Sequence, residues 1–300
     1  MSAEIAQAVV SALTVGSMYA LIAVGVTLIY AATGIINFAQ GEFVMLGGMT
    51  MVTLYGERHW PLAAAIPATV AFTVVVAAAL MLVSFRSGSS GRLITVLIIS
   101  IGASMALSGG AYHLWDGDVH RFPAFSGETP FFLLGAAIPP QALWVIGTAV
   151  AATLALSAFL RLTIWGKAMR ACAIDRGAAE LMGIRVGSTV LLSFMMAGAL
   201  GCIAGIVVTP LTLVDYGGGW LLALKGFSAA MLGGMGSVVG AILGAMLFAL
   251  LETFSVTFVS AAMKELSTFV VIILVLMIMP QGLMGGRSRE GLTDDDVMGS

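Results

Sequence analysis

Between two apolar runs lies Gly34-Ile-Ile-Asn-Phe-Ala-Gln-Gly-Glu-Phe43, which places Asn37, Gln40 and Glu42 within six residues. Amides and carboxylates are costly in hydrocarbon unless they face protein, water or the membrane interface. Two roles fit them. They can line or gate a polar path, or they can form a helix–helix turn at the cytoplasmic surface. In the second case Asn37 caps the next helix and Glu42 is favoured by that helix's positive N-terminal end. Glu252 is another candidate intramembrane acid, although it falls near a helix end. His59, His113 and His120 map to or near the outer face, which does not build a proton relay through a membrane.

No nucleophile, base and acid fall into a catalytic set, and no metal ligands cluster, so neither catalysis nor a cofactor is expected of this chain. There is no G-x-x-x-x-G-K-[ST] phosphate loop, so any ATP hydrolysis belongs on another subunit. Cys172 and Cys202 are isolated and read as small apolar filler. Residues 166–187 are more informative. They are helical in character but much less apolar than their surroundings. A short helix over 167–174 precedes a second, capped by Asp175, running to Met182 and stopped by a left-handed Gly183. Ala171, Cys172, Ala178, Ala179 and Met182 give a small-residue face suited to a partner's groove. The same loop also reads as a basic juxtamembrane segment holding anionic lipid.

The elements that position these residues are set by composition. Hydrophobic residues make up 60% of the chain and charged residues 9%, with a mean hydropathy of +1.07. Soluble domains carry about 25% charged residues, so lipid is the solvent for most of this chain. The first residues carry no Lys or Arg, so the first apolar run is expected to be a retained helix rather than a signal peptide. Apolar runs long enough to cross a bilayer occupy 8–33, 38–55, 62–84, 93–115, 141–161, 188–213 and 264–282. They lack the alternation of an outer-membrane strand. Lys and Arg concentrate in 85–92 (Arg86, Arg92), in 161–187, and in the tail at Arg287 and Arg289, ahead of Asp294–Asp296. Residues 116–140 set Asp116, Asp118 and Glu128 against Arg121 alone. The positive-inside rule then places 85–92, 161–187 and the C-terminus in the cytoplasm, and 56–61, 116–140 and the N-terminus outside.

That parity holds only if 226–253 enters and leaves on one face, as two short spans or a re-entrant pair. Gly233, Gly234 and Gly236 can unwind a helix at mid-membrane, while Gly236, Gly240 and Gly244 also form a close-packing series. Met-Leu-Gly-Gly-Met occurs at 45–49 and again at 231–235, in segments of opposite direction, as in an inverted repeat. The expected fold is an all-α polytopic bundle of about eight membrane segments with broken or re-entrant elements, in one transmembrane domain over 1–300 with a polar tail from 284.

Several blocks carry a family resemblance. They are Gly16-Ser-Met-Tyr-Ala-Leu-Ile-Ala-Val-Gly25, the 34–42 block, Lys167-Ala-Met-Arg-Ala-Cys-Ala-Ile-Asp-Arg176, Glu180-Leu-Met-Gly-Ile184, Lys225-Gly-Phe-Ser-Ala-Ala-Met-Leu-Gly-Gly-Met-Gly-Ser237 and Met279-Pro-Gln-Gly-Leu283. In this order the chain resembles the permeases of branched-chain amino-acid ABC importers of the LivH type, along nearly its whole length. Two departures are Gln40, where many relatives have His, and a short 85–92 loop.

The resemblance implies an inner-membrane importer that works by alternating access. Its partners would be a second, homologous permease, two cytoplasmic ATPase subunits, a periplasmic substrate-binding protein and membrane lipid, with no nucleic acid. It implies an ATPase-coupling role for Lys167, Met169, Arg170, Asp175, Arg176, Glu180, Met182 and Gly183. Asn37, Gln40, Glu42, Phe227, Ser228, Gly233, Gly234 and Gly236 then become path or gating candidates. Relatives that carry urea and short amides leave the substrate open. The rival classes are a self-sufficient secondary transporter or channel, which normally needs committed intramembrane charge, and a membrane enzyme.

Overall fold

The computed structural model describes residues 2–86, 93–127, 129–133, 135–258, 269–270, 273, 277 and 282–284. Arg92, Glu128, most of the expected span at 264–282, and the tail with Arg287, Arg289 and Asp294–Asp296 lie outside the described residues. The helices are α1 (Ser2–Thr33), α2 (Gln40–Met51), α3 (Leu62–Arg86), α4 (Leu93–Trp115), α5 (Pro140–Leu162), α6 (Ile164–Ile174), α7 (Arg176–Leu181), α8 (Val186–Val208), α9 (Gly218–Gly233) and α10 (Val238–Phe258). Six of them, α1, α3, α4, α5, α8 and α10, are long and apolar enough to cross a membrane. A π-helical stretch, Val52–Glu57, extends α2. A short antiparallel hairpin, β1 (Phe131–Leu133) and β2 (Ala136–Ile138), lies between α4 and α5, and Gln7 of α1 holds its edge through Ala137.

The two ends of the bundle are distinguishable. At one end Arg176 of α7 donates to the Thr33 carbonyl that closes α1 (3.2 Å). Leu283 and Met284 return to the same end, where their N–H groups bond the Leu232 and Gly233 carbonyls left open as α9 finishes. At the other end are the hairpin, the start of α1 and the Trp115–Thr53 hydrogen bond (2.6 Å). The chain therefore starts at the hairpin end and its last described residues lie at the α6–α7 end.

Helices α1 and α8 are apolar around their circumference and lie at the centre, whereas α3, α4 and α5 each expose a broad face. Contacts between elements repeat with inverted direction. Helix α1 packs on α10 as α8 packs on α3; α2 packs on α8 as α9 packs on α1; α2–α3 matches α9–α10. Helix α2 runs towards the hairpin end and α9 towards the α6–α7 end. The repeated pentapeptide does not mark equivalent positions in this arrangement. Met45–Met49 is buried inside α2, whereas 231–235 runs out of α9 into a turn.

Three expectations are corrected here. The expected 38–55 span is a short helix that begins inside the membrane, because residues 34–39 are not helical. The expected 188–213 span stops at Val208, since Pro210 cannot continue the helix ladder. The mid-membrane break does not fall at Gly233–Gly236. Gly234 and Gly236 adopt φ of 98° and 95°, which only glycine takes readily, and they turn the chain at the α6–α7 end. Segment 226–253 is therefore two helices, α9 and α10, joined by a turn.

Lipid gives no hydrophobic drive to helix association, so close backbone approach has to supply it. The closest approach is at the first turns of α2 and α9, where a Cβ on Gly41 would collide with the Gly219 carbonyl oxygen. Gly41→Val should destabilise the fold by about 3 kcal/mol or more, the upper end of overpacking costs. Gly102 has open space around it, so Gly102→Val should be tolerated. Yield of monodisperse protein in mild detergent and its thermal midpoint separate the two; equal behaviour would contradict this packing.

Candidate functional site

The α2 segment is fixed in depth by two independent neighbours. Glu42 Oε1 accepts a hydrogen bond from Ser104 Oγ (2.7 Å), and Gln40 Nε2 donates to the Ala197 carbonyl (3.0 Å). Ser104 is the middle residue of the 23-residue α4. Ala197 is the middle residue of the 23-residue α8. At 1.5 Å rise per residue, each therefore lies ~16 Å from either end of its helix. Gln40 and Glu42 sit at the midplane and not at the cytoplasmic surface. Nor does Asn37 cap α2: the N-cap is Ala39, and Asn37 Oδ1 accepts from Ala39 N (3.1 Å) in a local turn.

Two half-helices therefore start side by side at the midplane and run apart. Glu42 is in the first turn of α2, and its carboxylate lies against Gly219 in the first turn of α9. One acidic side chain thus meets the first turns of two helices, whose N-terminal ends favour an acid. Helix α4 holds the surrounding irregular backbone with three serines spaced four apart. Ser100 Oγ accepts from Phe38 N (3.3 Å), Ser104 donates to Glu42, and Ser108 donates to the Tyr216 carbonyl. Reading the sequence missed this ladder. Its signal was serine at positions 100, 104 and 108 of an otherwise apolar span, one helix face. Asn37, Gln40 and Glu42 are 4%, 0% and 1% exposed, and Asn37 Nδ2, Gln40 Oε1 and Glu42 Oε2 have no hydrogen-bond partner among the described residues.

A second buried polar group was half legible. Glu252 is paired with Lys225 (2.8 Å) and accepts from Tyr19 Oη (2.8 Å), tying α10, α9 and α1 together. Lys225 was the missed partner; it is the only cation within α9.

The expected coupling segment is a helix–turn–helix at one end of the bundle. Thr163 Oγ1 caps α6 through Gly166 N, and Asp175 Oδ1 caps α7 through Ala178 N, both at 3.0 Å. Gly183, at φ 83°, ends α7 as expected, with Ile184 N reaching back to the Ala179 carbonyl. The small-residue face is only partly available. Cys172 and Ala179 are buried, as is Met169, while Arg176 is half-buried in its bond to Thr33. What faces outward is Lys167, Arg170, Glu180, Gly183 and three large apolar side chains: Ile174, Leu181 and Met182 are 86%, 91% and 83% exposed.

The two groups of candidate residues meet in one place. A cavity of about 230 Å³ beneath α6 is bounded by Thr27, Ala31, Met169, Arg170, Gly236 and Val238. Phe227 belongs instead to the midplane cluster, through Phe38 (6.1 Å between rings). Ser228 and Gly233 are buried, and Gly233 packs against Gly240 and Gly244.

Comparison with known proteins places this geometry. Residues 8–279 match the family described as branched-chain amino acid transport system, permease component. The chain is 31% identical over 303 aligned positions to the high-affinity branched-chain amino acid transport system permease protein LivH of Escherichia coli K12, covering 95% of this chain and 96% of that one. It is 31% identical to BraD of Pseudomonas aeruginosa, a permease described in the same words, covering 95% and 97%. Among solved structures, PsaBC from Streptococcus pneumoniae in complex with Fab shares the fold, with a TM-score of 0.50 and 16% identity over 93% of this chain and 92% of that one.

The polar centre carries a stability prediction. Ser104→Ala leaves a buried carboxylate oxygen unsatisfied and should cost about 1–3 kcal/mol. Lys225→Met leaves Glu252 without its cation and should cost about 3–5 kcal/mol, with the double variant Lys225→Met/Glu252→Leu recovering much of the loss. Unfolding by titrated denaturing detergent measures both, and a double variant no better than Lys225→Met would contradict the pairing.

Proposed function

The chain belongs to the permease-component family of branched-chain amino acid transport systems, and we propose that it moves a branched-chain or related amino acid across the bacterial inner membrane by alternating access driven by partner ATPases. It is one membrane-spanning permease of the importer. Working beside it are a second, homologous permease, two cytoplasmic ATP-binding subunits and a periplasmic binding protein. The α6–α7 end faces the cytoplasm, where Lys167, Arg170, Arg176 and Arg185 lie, and the hairpin and N-terminus face outward.

The observation that carries this reading is the exposed apolar tip of α6–α7. Ile174, Leu181 and Met182 project from a capped, rigid helix pair at a polar end of the bundle, where exposed apolar side chains mark a docking surface. Arg170, Asp175 and Glu180 rim that tip. Arg176 fastens the pair to the end of α1, so a push on the tip passes into α1. The cavity between α6, α1 and the Gly234–Gly236 turn leaves room for these parts to repack. ATP hydrolysis takes place on the partner subunits, and this chain supplies the path.

The test is co-purification with the ATPases and uptake by the reconstituted complex. Leu181→Asp/Met182→Asp should abolish ATP-driven uptake and release the ATPases, while the variant chain remains folded and membrane-inserted. Undiminished uptake by that variant, or transport by the chain alone without ATPases, would overturn the reading.

A further inference from the structure

Most of the outer surface at mid-depth suits lipid: Phe72 and Val75 on α3, and Val150 and Leu154 on α5. One face does not. Around the start of α9, Tyr216, Gly217, Trp220 and Leu221 are exposed, and Phe38 and Phe227 are partly exposed. Trp220 stacks on Phe38 (5.7 Å between centroids, planes 29° apart), and Phe227 lies against the same ring. Their depth is fixed by α4. Phe38 N bonds Ser100, and Gly219, beside Trp220, touches the Glu42 carboxylate held by Ser104.

Two physical arguments exclude lipid from this face. Tryptophan favours the interfaces of a bilayer, not its midplane. Non-helical backbone at membrane depth survives only where it is buried in protein or lines a water-filled cavity. Here residues 34–39, Phe38 among them, lead into one half-helix, and 209–217, just ahead of Trp220, lead into the other.

Resting on the importer reading above, we propose that Phe38, Trp220 and Phe227 form the midplane wall of the translocation path and contact the aliphatic side chain of the transported amino acid. The rings offer a broad apolar surface that rewards a branched side chain by contact area. Glu42, Ser104 and Gln40 stand behind them as positioning residues, buried away from the path. The arrangement selects on the side chain and leaves the substrate's charged groups to other parts of the complex.

The test uses the complete importer in proteoliposomes, with its ATPases and binding protein. Trp220→Cys and Phe227→Cys should each react with a charged, membrane-impermeant thiosulfonate during ATP turnover. Val75→Cys, near the middle of α3 and 66% exposed, should not, and neither should the parent chain, whose Cys172 and Cys202 are buried. Trp220→Ala should lower the ratio of leucine to alanine uptake about tenfold, the scale of hydrophobic-pocket discrimination, while Val75→Ala leaves the ratio unchanged. Trp220→Cys and Phe227→Cys both as inert as Val75→Cys, or leucine and alanine uptake falling in equal proportion, would overturn the assignment. A parent complex that fails to transport at all would refute the importer reading itself, not this wall.

Discussion

Every backbone N–H and C=O at membrane depth must find a partner inside the protein, and two helices that begin at the midplane put this demand at its most severe. Their exposed first turns are placed against each other at Gly41 and Gly219, so close that neither position has room for a side chain. The Glu42 side chain lies against the N-terminal turns of both. The non-helical stretches on either side are pinned by Ser100 and Ser108 on α4, and the α2 start is pinned to α8 through Gln40. The surrounding helices are arranged around this junction: α1 and α8 wall it at the centre, and α4 is held to it by its serines.

The junction is built by an inverted pair of half-helices, and the two halves are not electrostatically equal. The second half carries the buried Lys225–Glu252–Tyr19 set, which ties α9 to α10 and α1. A buried ion pair of this kind adds little net stability, but it punishes any arrangement that separates the partners. It links α9, α10 and α1 through one buried acid. The α2 half is joined to its neighbours by a neutral hydrogen bond to Ala197 and by the Ser104–Glu42 contact.

Much of the fold could be read along the chain. Long apolar runs gave the spans α1, α3, α4, α5 and α8 to within a few residues, except that α1 begins six residues earlier, at Ser2, and Pro210 stopped α8 early. Asp175 and Gly183 gave the boundaries of α7, because caps and left-handed stops are local chemistry. Asn37, Gln40 and Glu42 were recognisable as unusual from residue type alone. Their depth was not, because an amide and a carboxylate between apolar runs look the same in a surface turn and at a midplane crossing. The α6–α7 surface was misjudged for a related reason. Spacing put Cys172, Ala179 and Met182 on one face, but the packing of α6 and α7 on the bundle buried the first two and exposed Met182 with Ile174 and Leu181.

The sequence by itself determined a membrane bundle and the capped helix pair, since these rest on hydrophobic length and local hydrogen bonding, while the family came from the resemblance carried by its motif blocks. Only the tertiary structure decided where the broken helices start, that Glu42 serves two helix ends at once, that Lys225 is the partner of Glu252, and which aromatic rings share a face. Each of these is a meeting of residues far apart in the chain. Hydropathy averages over a window and carries no depth, whereas a hydrogen bond from the middle of α4 or to the middle of α8 fixes depth to within a turn of helix.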